Sequence, residues 1–277
     1  MKEVGIILVF LLGTLGVNNQ QVVCQSGKRI TKIFNERWTF NYFPEETADH
    51  GFEHPDYDDS AWPEVSIPHT WSTYETTGQL HPYIHDANEK SATYWWYGWG
   101  WYRKHFSLGK EYSGKKVFVE FEGVQKYCKV WINGQYLGEH KGGYGSFDFD
   151  LTPYIKAGND NILAIAVSNR QNDQFRIPPM AAGNFDLYGG IYRDVTITIK
   201  DKMYIPMQGS ASHEGGTFVT TPSVSEEQGI VRVQTWVKND KDGGEEAKRV
   251  VTISYVVKKG EPILVTSLNC IPNLKNE

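Results

Sequence analysis

Two of the closely spaced acidic pairs in this sequence of 277 residues lie in predicted strands. Glu120 and Glu122 lie two positions apart, and so do Asp148 and Asp150. Two carboxyl groups about 5 Å apart can act as a general acid and a nucleophile. Both pairs alternate with apolar residues, however, so we expect them on solvated strand surfaces and assign no catalytic role to them.

Aromatic side chains are concentrated in residues 94–102, where YWWYGWGWY places seven rings in nine positions. Flat rings suit the C–H faces of sugars, and the two glycines of the block let a backbone approach closely. The alternative is that alternate rings, such as Trp101, belong to a core and the others pack against another domain. The residue types alone leave both interpretations open.

Other candidate motifs favour no metal and no cofactor. The segment DYDDS, residues 56–60, lacks the glycine and the distal glutamate of a calcium-binding EF-hand loop, so we expect Asp59 or Ser60 to cap a turn. The segment GGYG, residues 142–145, precedes a strand rather than a helix and is not a phosphate loop. Two histidine pairs have the spacing i, i+4 but lie in loops without a third zinc ligand: His50 with His54, and His81 with His85.

The elements that must position these residues are strands, because apolar residues alternate with a period of two and helical periodicity is nearly absent. Asn133-Gly134 predicts a type I′ hairpin turn. Many short strands joined by Gly, Asn and Asp turns predict an all-β protein with an antiparallel sandwich or jelly roll. Three apolar faces carry this prediction: Val117, Val119 and Phe121; Leu163, Ile165 and Val167; Ile191, Val195, Ile197 and Ile199.

The N-terminus has the features of a signal peptide. Lys2 precedes an apolar run of about fourteen residues, Val4–Val17, which is too short to span a membrane. We therefore expect residues 1–25 to be a signal peptide and the protein to be secreted or periplasmic. Cys24 ends a loose lipoprotein-like segment, so lipidation is an alternative to plain cleavage. Cys128 lies in a predicted strand and is expected to be a small buried hydrophobe rather than a disulfide partner of Cys270.

We predict two units after the signal peptide, at residues 26–200 and 201–277. Two alternating strands flank the turn DKDGGEE in the second unit, which is similar to the front of an immunoglobulin-like sandwich but is too short for seven strands. The closing residues 268–277 show no strand pattern and are expected to form a tail. A net charge of −5 without a large basic cluster argues against a nucleic-acid partner.

Five motifs in a fixed order resemble the N-terminal sugar-binding domain of glycoside hydrolase family 2, the family of β-galactosidases and β-glucuronidases. The resemblance covers about residues 30–200 and continues more weakly to about residue 265. It implies a jelly-roll domain followed by a partial immunoglobulin-like domain. The motifs are DDSAW (58–62), IPHTW (67–71), GWYRK (100–104), NGQYLGEHKGGYGSF (133–147) and GGIYRDV (189–195).

The resemblance implies a sugar-binding loop just before GGIYRDV. In related β-galactosidases an aspartate four residues before the aromatic-Gly-Gly segment contacts sugar hydroxyls, and here that position is Asn184. An amide can still exchange hydrogen bonds with hydroxyls, but it puts a sodium site at this loop in doubt. Asp186 can take part of the role, and a turn-forming role for both residues stays open. Gly189 and Gly190 are expected to serve the backbone.

Four further residues are expected near the sugar pocket because the matching family segments approach it. Tyr97 and Trp99 are the sugar-side rings of the aromatic block, and His69 and Trp71 lie in a loop at the pocket rim. A structural role for His69 is an equal alternative. Arg193 is expected to form a structural ion pair.

The family carries its two catalytic glutamates on a barrel that follows the immunoglobulin-like domain. We expect that barrel to lie outside this chain, so we assign no catalytic residue and expect the chain to be inactive alone. The implied function is that of an N-terminal fragment of a secreted β-galactosidase-like hydrolase. Its expected partners are a β-galactoside-like glycan and the barrel, with membrane contact only if Cys24 is lipidated. The alternatives are a stand-alone carbohydrate-binding protein and a structural or adhesion sandwich.

Overall fold

The computed structural model describes residues 29–43, 51–71, 98–169, 189–207 and 216–240, together with the backbone of residues 247–258 and 264–272. Apart from one 3₁₀ turn at Lys110–Tyr112, every regular element in these ranges is a β-strand. The described residues include no helix long and apolar enough to cross a membrane. The predicted signal peptide and Cys24 lie outside the described residues.

The first twelve strands form the N-terminal unit, and all their pairings are antiparallel. In chain order they are β1 (Ile30–Ile33), β2 (Trp38–Phe43), β3 (Glu64–Val65), β4 (Trp99–Ser107), β5 (Lys116–Phe121), β6 (Val124–Gln125), β7 (Tyr127–Ile132), β8 (Gln135–Lys141), β9 (Phe147–Asp150), β10 (Asp160–Ser168), β11 (Gly190–Ile191) and β12 (Val195–Lys200).

Two sheets of this unit face each other. A four-stranded sheet has the order β1-β12-β5-β9, and a six-stranded sheet has the order β3-β2-β4-β10-β7-β8. Their inner faces share one apolar core, which contains all three predicted apolar faces. Because side chains alternate across a strand, burying one face of each sheet accounts for the period of two residues in the sequence. The predicted all-β sandwich is confirmed.

Local predictions in this unit are also confirmed. Asn133 and Gly134 both have positive φ and join β7 to β8 as a tight hairpin. Cys128 is fully buried on β7 as a free thiol, and burial raises the pKa of that thiol. Trp101 is fully buried, as the core interpretation of the aromatic block requires.

A second aromatic layer covers the outer face of the six-stranded sheet. Residues 51–62 lie across this face, and their apolar side chains pack against rings from β4 and β7. Phe52 meets the ring of Trp101 edge-on at 5.4 Å between centroids. Strands β4 and β10 are therefore buried on both faces over most of their length, which accounts for large rings at successive positions of β4, such as Trp101 and Tyr102, in place of a strict alternation.

A buried ion pair anchors residues 51–62 to the sheet. The guanidinium of Arg103, which is inaccessible to solvent, lies 3.3 Å from the carboxylate of Asp59 and donates to the backbone carbonyls of Phe52, His54 and Tyr57. The same carboxylate accepts hydrogen bonds from the Thr39 hydroxyl and from the His105 ring. This network fixes a segment that has no regular secondary structure of its own.

The expectation that Asp59 or Ser60 caps the turn is wrong by one residue. The Asp58 carboxylate accepts the hydrogen bond from the backbone N–H of Ser60, at 3.0 Å. Asp59 turns inward because Arg103 presents a buried positive charge, a long-range contact that the local DYDDS pattern does not reveal.

The remaining strands form one sheet, in which β15 carries both β13 and β14 on one side and β16 on the other. The expected strand pair is confirmed as β15 and β16. The expectation that residues 268–277 lack a strand is wrong for residues 268–272, because β17 pairs along the open edge of β16. The strands are β13 (Met203–Tyr204), β14 (Thr217–Val224), β15 (Gln228–Asn239), β16 (Ala247–Lys258) and β17 (Leu264–Pro272).

Lys116 joins the two units. Its ammonium lies 2.6 Å from the carboxylate of Asp150 on β9 and 3.1 Å from that of Asp240, which follows β15. The Tyr204 hydroxyl donates to the same Asp240 carboxylate at 3.2 Å. The end of β15 is thus held against the four-stranded sheet by charged and polar groups.

Candidate functional site

The predicted site residues that the structure describes gather at one edge of the sandwich, where β11 pairs with β6. Residues 69–71 run beside Gly189 and Ile191 at this edge. The His69 N–H donates to the Ile191 carbonyl at 2.8 Å, and the Thr70 hydroxyl donates to the Gly189 carbonyl at 2.8 Å. The Trp71 N–H donates to the same Gly189 carbonyl at 3.2 Å. Three hydrogen bonds therefore fix the end of the segment that contains Asn184 and Asp186.

The two long segments that carry the other predicted residues begin and end at this edge. Segment 72–97 contains Tyr97, and segment 170–188 contains Asn184 and Asp186; these three residues lie outside the described residues. The Gly98 N–H donates to the Asn169 side-chain oxygen at 3.2 Å, which joins the end of one segment to the start of the other. The backbone hydrogen bond from the Trp71 N–H to the Gly189 carbonyl joins the start of segment 72–97 to the end of segment 170–188. We call the residues that flank the two segments, 71, 98, 169 and 189, the four stems. The four stems lie together at this edge.

Close packing at the stems requires glycine. A Cβ atom at Gly189 or Gly100 would overlap the Trp71 ring, and one at Gly190 would overlap the backbone oxygen of His69. Gly190 also has a φ of 143°, which L-residues rarely adopt. The expectation that Gly189 and Gly190 serve the backbone is confirmed.

We expect Gly190→Ala to lower the free energy of unfolding by about 2–4 kcal/mol, because a Cβ adds both a backbone overlap and an unfavourable φ. Chemical denaturation followed by circular dichroism measures the change. Gly114→Ala is the matched control, because Gly114 has a positive φ but no atom within 4 Å of an added Cβ. Equal losses in the two variants would show that the close approach at Gly190 contributes nothing.

His69 is held as a neutral ring. Its Nδ1 lies 2.8 Å from the Tyr102 hydroxyl, and that hydroxyl accepts a hydrogen bond from the Ile191 N–H. The tautomer of the His69 ring decides which of these two atoms donates. Burial lowers the pKa of His69 to about 4, so it carries no charge at neutral pH and is unsuited to act as a general acid there. Its described contacts are those of a residue that positions the backbone.

Trp71 and Trp99 are packed rings in this structure. Trp71 is inaccessible to solvent and lies parallel to Phe40, with the centroids 6.1 Å apart. Trp99 is 5% exposed and meets the ring of Tyr127 edge-on. The sugar contacts expected for these two residues and for His69 stay predictions, as do those of Tyr97, Asn184 and Asp186.

Three residues at the edge were not predicted from the sequence. Gln125 and Lys126 join β6 to β7 through a cis peptide, and both side chains are buried. Burial lowers the pKa of Lys126. The side-chain oxygen of Gln125 has no hydrogen-bond partner among the described residues and faces Gly143. The next residue along, Tyr144, is 66% exposed. Nothing in the local sequence VQK, residues 124–126, predicts that these side chains are buried at the edge. Their burial depends on the pairing of β6 with β11.

The described edge presents hydroxyl, amide, imidazole and ammonium groups, and the Glu139 carboxylate accepts a hydrogen bond from the Tyr127 hydroxyl at 2.5 Å. Within the described ranges, no three His, Cys, Asp or Glu side chains lie close enough to hold a metal ion.

Arg193 stacks on Tyr192 at 5.5 Å and has no ion pair among the described residues, so the expected ion pair is wrong in this part of the chain.

Comparison with known proteins gives a consistent result. Residues 31–201 match the family model described as "Glycosyl hydrolases family 2, sugar binding domain". A β-glucuronidase of Formosa agariphila is 34% identical over 88% of this chain and 24% of its own length. A β-galactosidase of Thermoanaerobacter pseudethanolicus is 39% identical over 62% of this chain and 21% of its own length.

Comparison with solved structures gives relatives with the same enzyme names. A Bacteroides uniformis β-glucuronidase superposes with a TM-score of 0.64 and 28% identity, covering 90% of this chain and 28% of that protein. The chain thus spans about a quarter of the length of the relatives that it matches.

Proposed function

Because this chain belongs to glycoside hydrolase family 2, we propose that it forms the sugar-binding and scaffold part of a secreted glycosidase of the β-galactosidase or β-glucuronidase type. The proposal for secretion is supported by the apolar run Val4–Val17. The proposal for the substrate class is supported by the relatives, which carry both enzyme names. Hydrolysis itself is assigned to a catalytic barrel that lies outside this chain.

The observation that carries the proposal is the convergence of four stems at one edge. Hydrogen bonds at residues 71, 98, 169 and 189 hold both long segments on a rigid base. Segments fixed at both ends lose less conformational entropy when they bind a ligand. We therefore assign the contacts with glycan hydroxyls to Asn184 and Asp186, with the ring of Tyr97 beside them.

Titration of the chain with methyl β-galactoside and methyl β-glucuronide, followed by NMR, tests the assignment. We expect a dissociation constant in the millimolar range, because the rest of the pocket lies outside the chain. Asn184→Ala and Asp186→Ala should each weaken binding at least tenfold, whereas Asn159→Ala, in an exposed turn, should not. Unchanged affinity in both variants would contradict the assignment.

The same titration separates this proposal from a stand-alone carbohydrate-binding protein. Micromolar affinity of the chain alone would favour the stand-alone function, because no other domain would then be needed to complete the pocket. If neither sugar binds at concentrations up to tens of millimolar, the chain has only a scaffold role.

A further inference from the structure

An aromatic ring stands exposed on the outer face of the hairpin that β7 and β8 form. Tyr136 on β8 is 51% exposed, and the centroid of its ring lies 5.5 Å from that of its register partner on β7, Trp131. Trp131 stacks in turn on the buried ring of Trp101, with the centroids 5.3 Å apart. Tyr136 is therefore the outermost ring of a stack that begins inside the protein.

Two charged residues flank the rings on the same face. Lys129 precedes Trp131 by two positions on β7, and its register partner on β8 is Glu139. Side chains two positions apart point to the same face of a strand, and register partners have Cβ atoms about 5 Å apart. The intervening residues of β7 face the core, so this face is the outer one. We call Lys129, Trp131, Tyr136 and Glu139 the outer patch.

The outer patch combines a fixed acceptor with two donors that have no protein partner. The Glu139 carboxylate accepts a hydrogen bond from the Tyr127 hydroxyl at 2.5 Å and lies 2.9 Å from the Lys141 ammonium. It also acts on the Tyr136 hydroxyl, because burial and the charge of Glu139 together raise the pKa of Tyr136. Within the described ranges, neither the Lys129 ammonium nor the Tyr136 hydroxyl has a hydrogen bond or an ion pair.

This combination of groups points to the chemical class of the ligand. A lone exposed tyrosine is an ordinary surface residue, and a charge pair alone is an ordinary solvated pair. An exposed ring face beside a carboxylate and an ammonium is suited to a sugar, because the ring packs on C–H groups while the charged groups exchange hydrogen bonds with hydroxyls.

The outer patch is continuous with the sugar-binding edge. Tyr127 directly follows Lys126 at the edge, and its hydroxyl reaches Glu139 of the outer patch. Trp131 lies four residues further along the same strand, about 13 Å from Tyr127. A glycan of several sugar units that starts at the edge and follows β7 therefore reaches the outer patch, whereas a single sugar at the edge does not.

We propose that the outer patch binds an additional sugar unit of a glycan that extends from the edge along β7. The choice of ligand rests on the proposed function, which this inference extends. Tyr136 supplies the ring face, Glu139 and Lys129 supply the contacts with hydroxyls, and Trp131 holds the ring of Tyr136 in place. Because packing fixes the rings before a ligand arrives, little side-chain entropy is lost on binding. We expect a tetrasaccharide to bind about tenfold more tightly than a monosaccharide.

Titration with a β-linked galactotetraose and with a tetrasaccharide that ends in β-glucuronate, followed by NMR of the Trp131 indole, tests the proposal. Tyr136→Ala should weaken tetrasaccharide binding about tenfold and leave the binding of methyl β-galactoside unchanged. Glu139→Gln and Lys129→Met should each weaken tetrasaccharide binding several-fold. Tyr154→Ala is the control, because it removes a ring that is 40% exposed on the turn after β9 and should alter neither affinity.

The two kinds of ligand distinguish failure of this inference from failure of the proposed function. If Tyr136→Ala binds both tetrasaccharides as tightly as the unaltered chain, the inference is overturned, and the proposed function stands as long as methyl β-galactoside binds. If methyl β-galactoside does not bind but a tetrasaccharide shifts the Trp131 signal, the outer patch is supported and the edge is not.

Absence of any Trp131 shift with either tetrasaccharide in the millimolar range would also overturn the inference. Far-UV circular dichroism confirms that each variant is folded, and Lys129→Met tests the same patch if Tyr136→Ala is not.

Discussion

Replacement of Asp59 by alanine is expected to lower the free energy of unfolding by about 3–5 kcal/mol. The change leaves the buried guanidinium of Arg103 without its only carboxylate among the described residues, and an uncompensated buried charge is among the most costly defects in a fold. The three carbonyls that accept from Arg103 remain, so residues 51–62 should loosen rather than detach. Urea denaturation followed by tryptophan fluorescence measures the loss.

Asp58→Ala is the matched control for this prediction. Asp58 is exposed and caps a turn through Ser60, so its removal should cost much less stability than the removal of Asp59. Losses of similar size in the two variants would show that the buried ion pair contributes no more than the turn.

The contribution of Asp59 should also depend on pH. Burial alone would raise the pKa of Asp59, but hydrogen bonds from Thr39 and His105 and the charge of Arg103 together lower it below its ordinary value of 3.8. A lowered pKa in the folded state means that the stabilisation is fully present above about pH 4 and is lost as the pH falls through the folded-state pKa. The difference in stability between the unaltered chain and Asp59→Ala should therefore shrink below pH 4.

Replacement of Trp71 by alanine is expected to lower the free energy of unfolding by about 3–5 kcal/mol. The ring is fully buried between Phe40 and Tyr42 on one side and the close backbones of Gly100 and Gly189 on the other. Glycines have no side chains that could fill the resulting cavity, so the loss should lie near the upper end of the range for large-to-small replacements. Thermal unfolding followed by near-UV circular dichroism measures the loss.

Trp71→Ala should also weaken glycan binding, because the ring packs on the stem of the segment that carries Asn184 and Asp186. Tyr144→Ala is the control, since it removes an exposed ring from the same edge and should change stability by about 0.5 kcal/mol or less. A stable Trp71→Ala variant with normal glycan affinity would show that the edge does not depend on this ring.

The sequence predicts the features of this fold that depend on local patterns. Alternation is sufficient for the apolar faces of β5, β10 and β12, and positive φ at Asn133-Gly134 follows from the residue types alone. The composition of residues 264–272 does not predict strand β17, because its pairing depends on the open edge of β16. The family motifs indicate which segments lie near the sugar-binding edge. Only the structure shows that hydrogen bonds at residues 71, 98, 169 and 189 hold this edge together.

Contacts across strands are the main features that the sequence does not reveal. The sequence displays only the spacing within one strand, which pairs Glu120 with Glu122 and Asp148 with Asp150. The sheet instead sets Glu120 beside Asp148, and half-burial replaces the solvated surface that alternation predicts for Glu120. Asp59 with Arg103, and Gln125 with Gly143, are further examples. Each depends on a partner more than fifteen positions away.

The four stems have a consequence for how this protein family can diversify. Backbone hydrogen bonds and glycines hold the stems, and neither depends on what the intervening segments contain. The anchoring of segments 72–97 and 170–188 is therefore set by the sandwich rather than by the sequences of the segments themselves. A chimera that carries both segments from a β-glucuronidase relative should keep the stability of this chain and acquire the sugar preference of the donor.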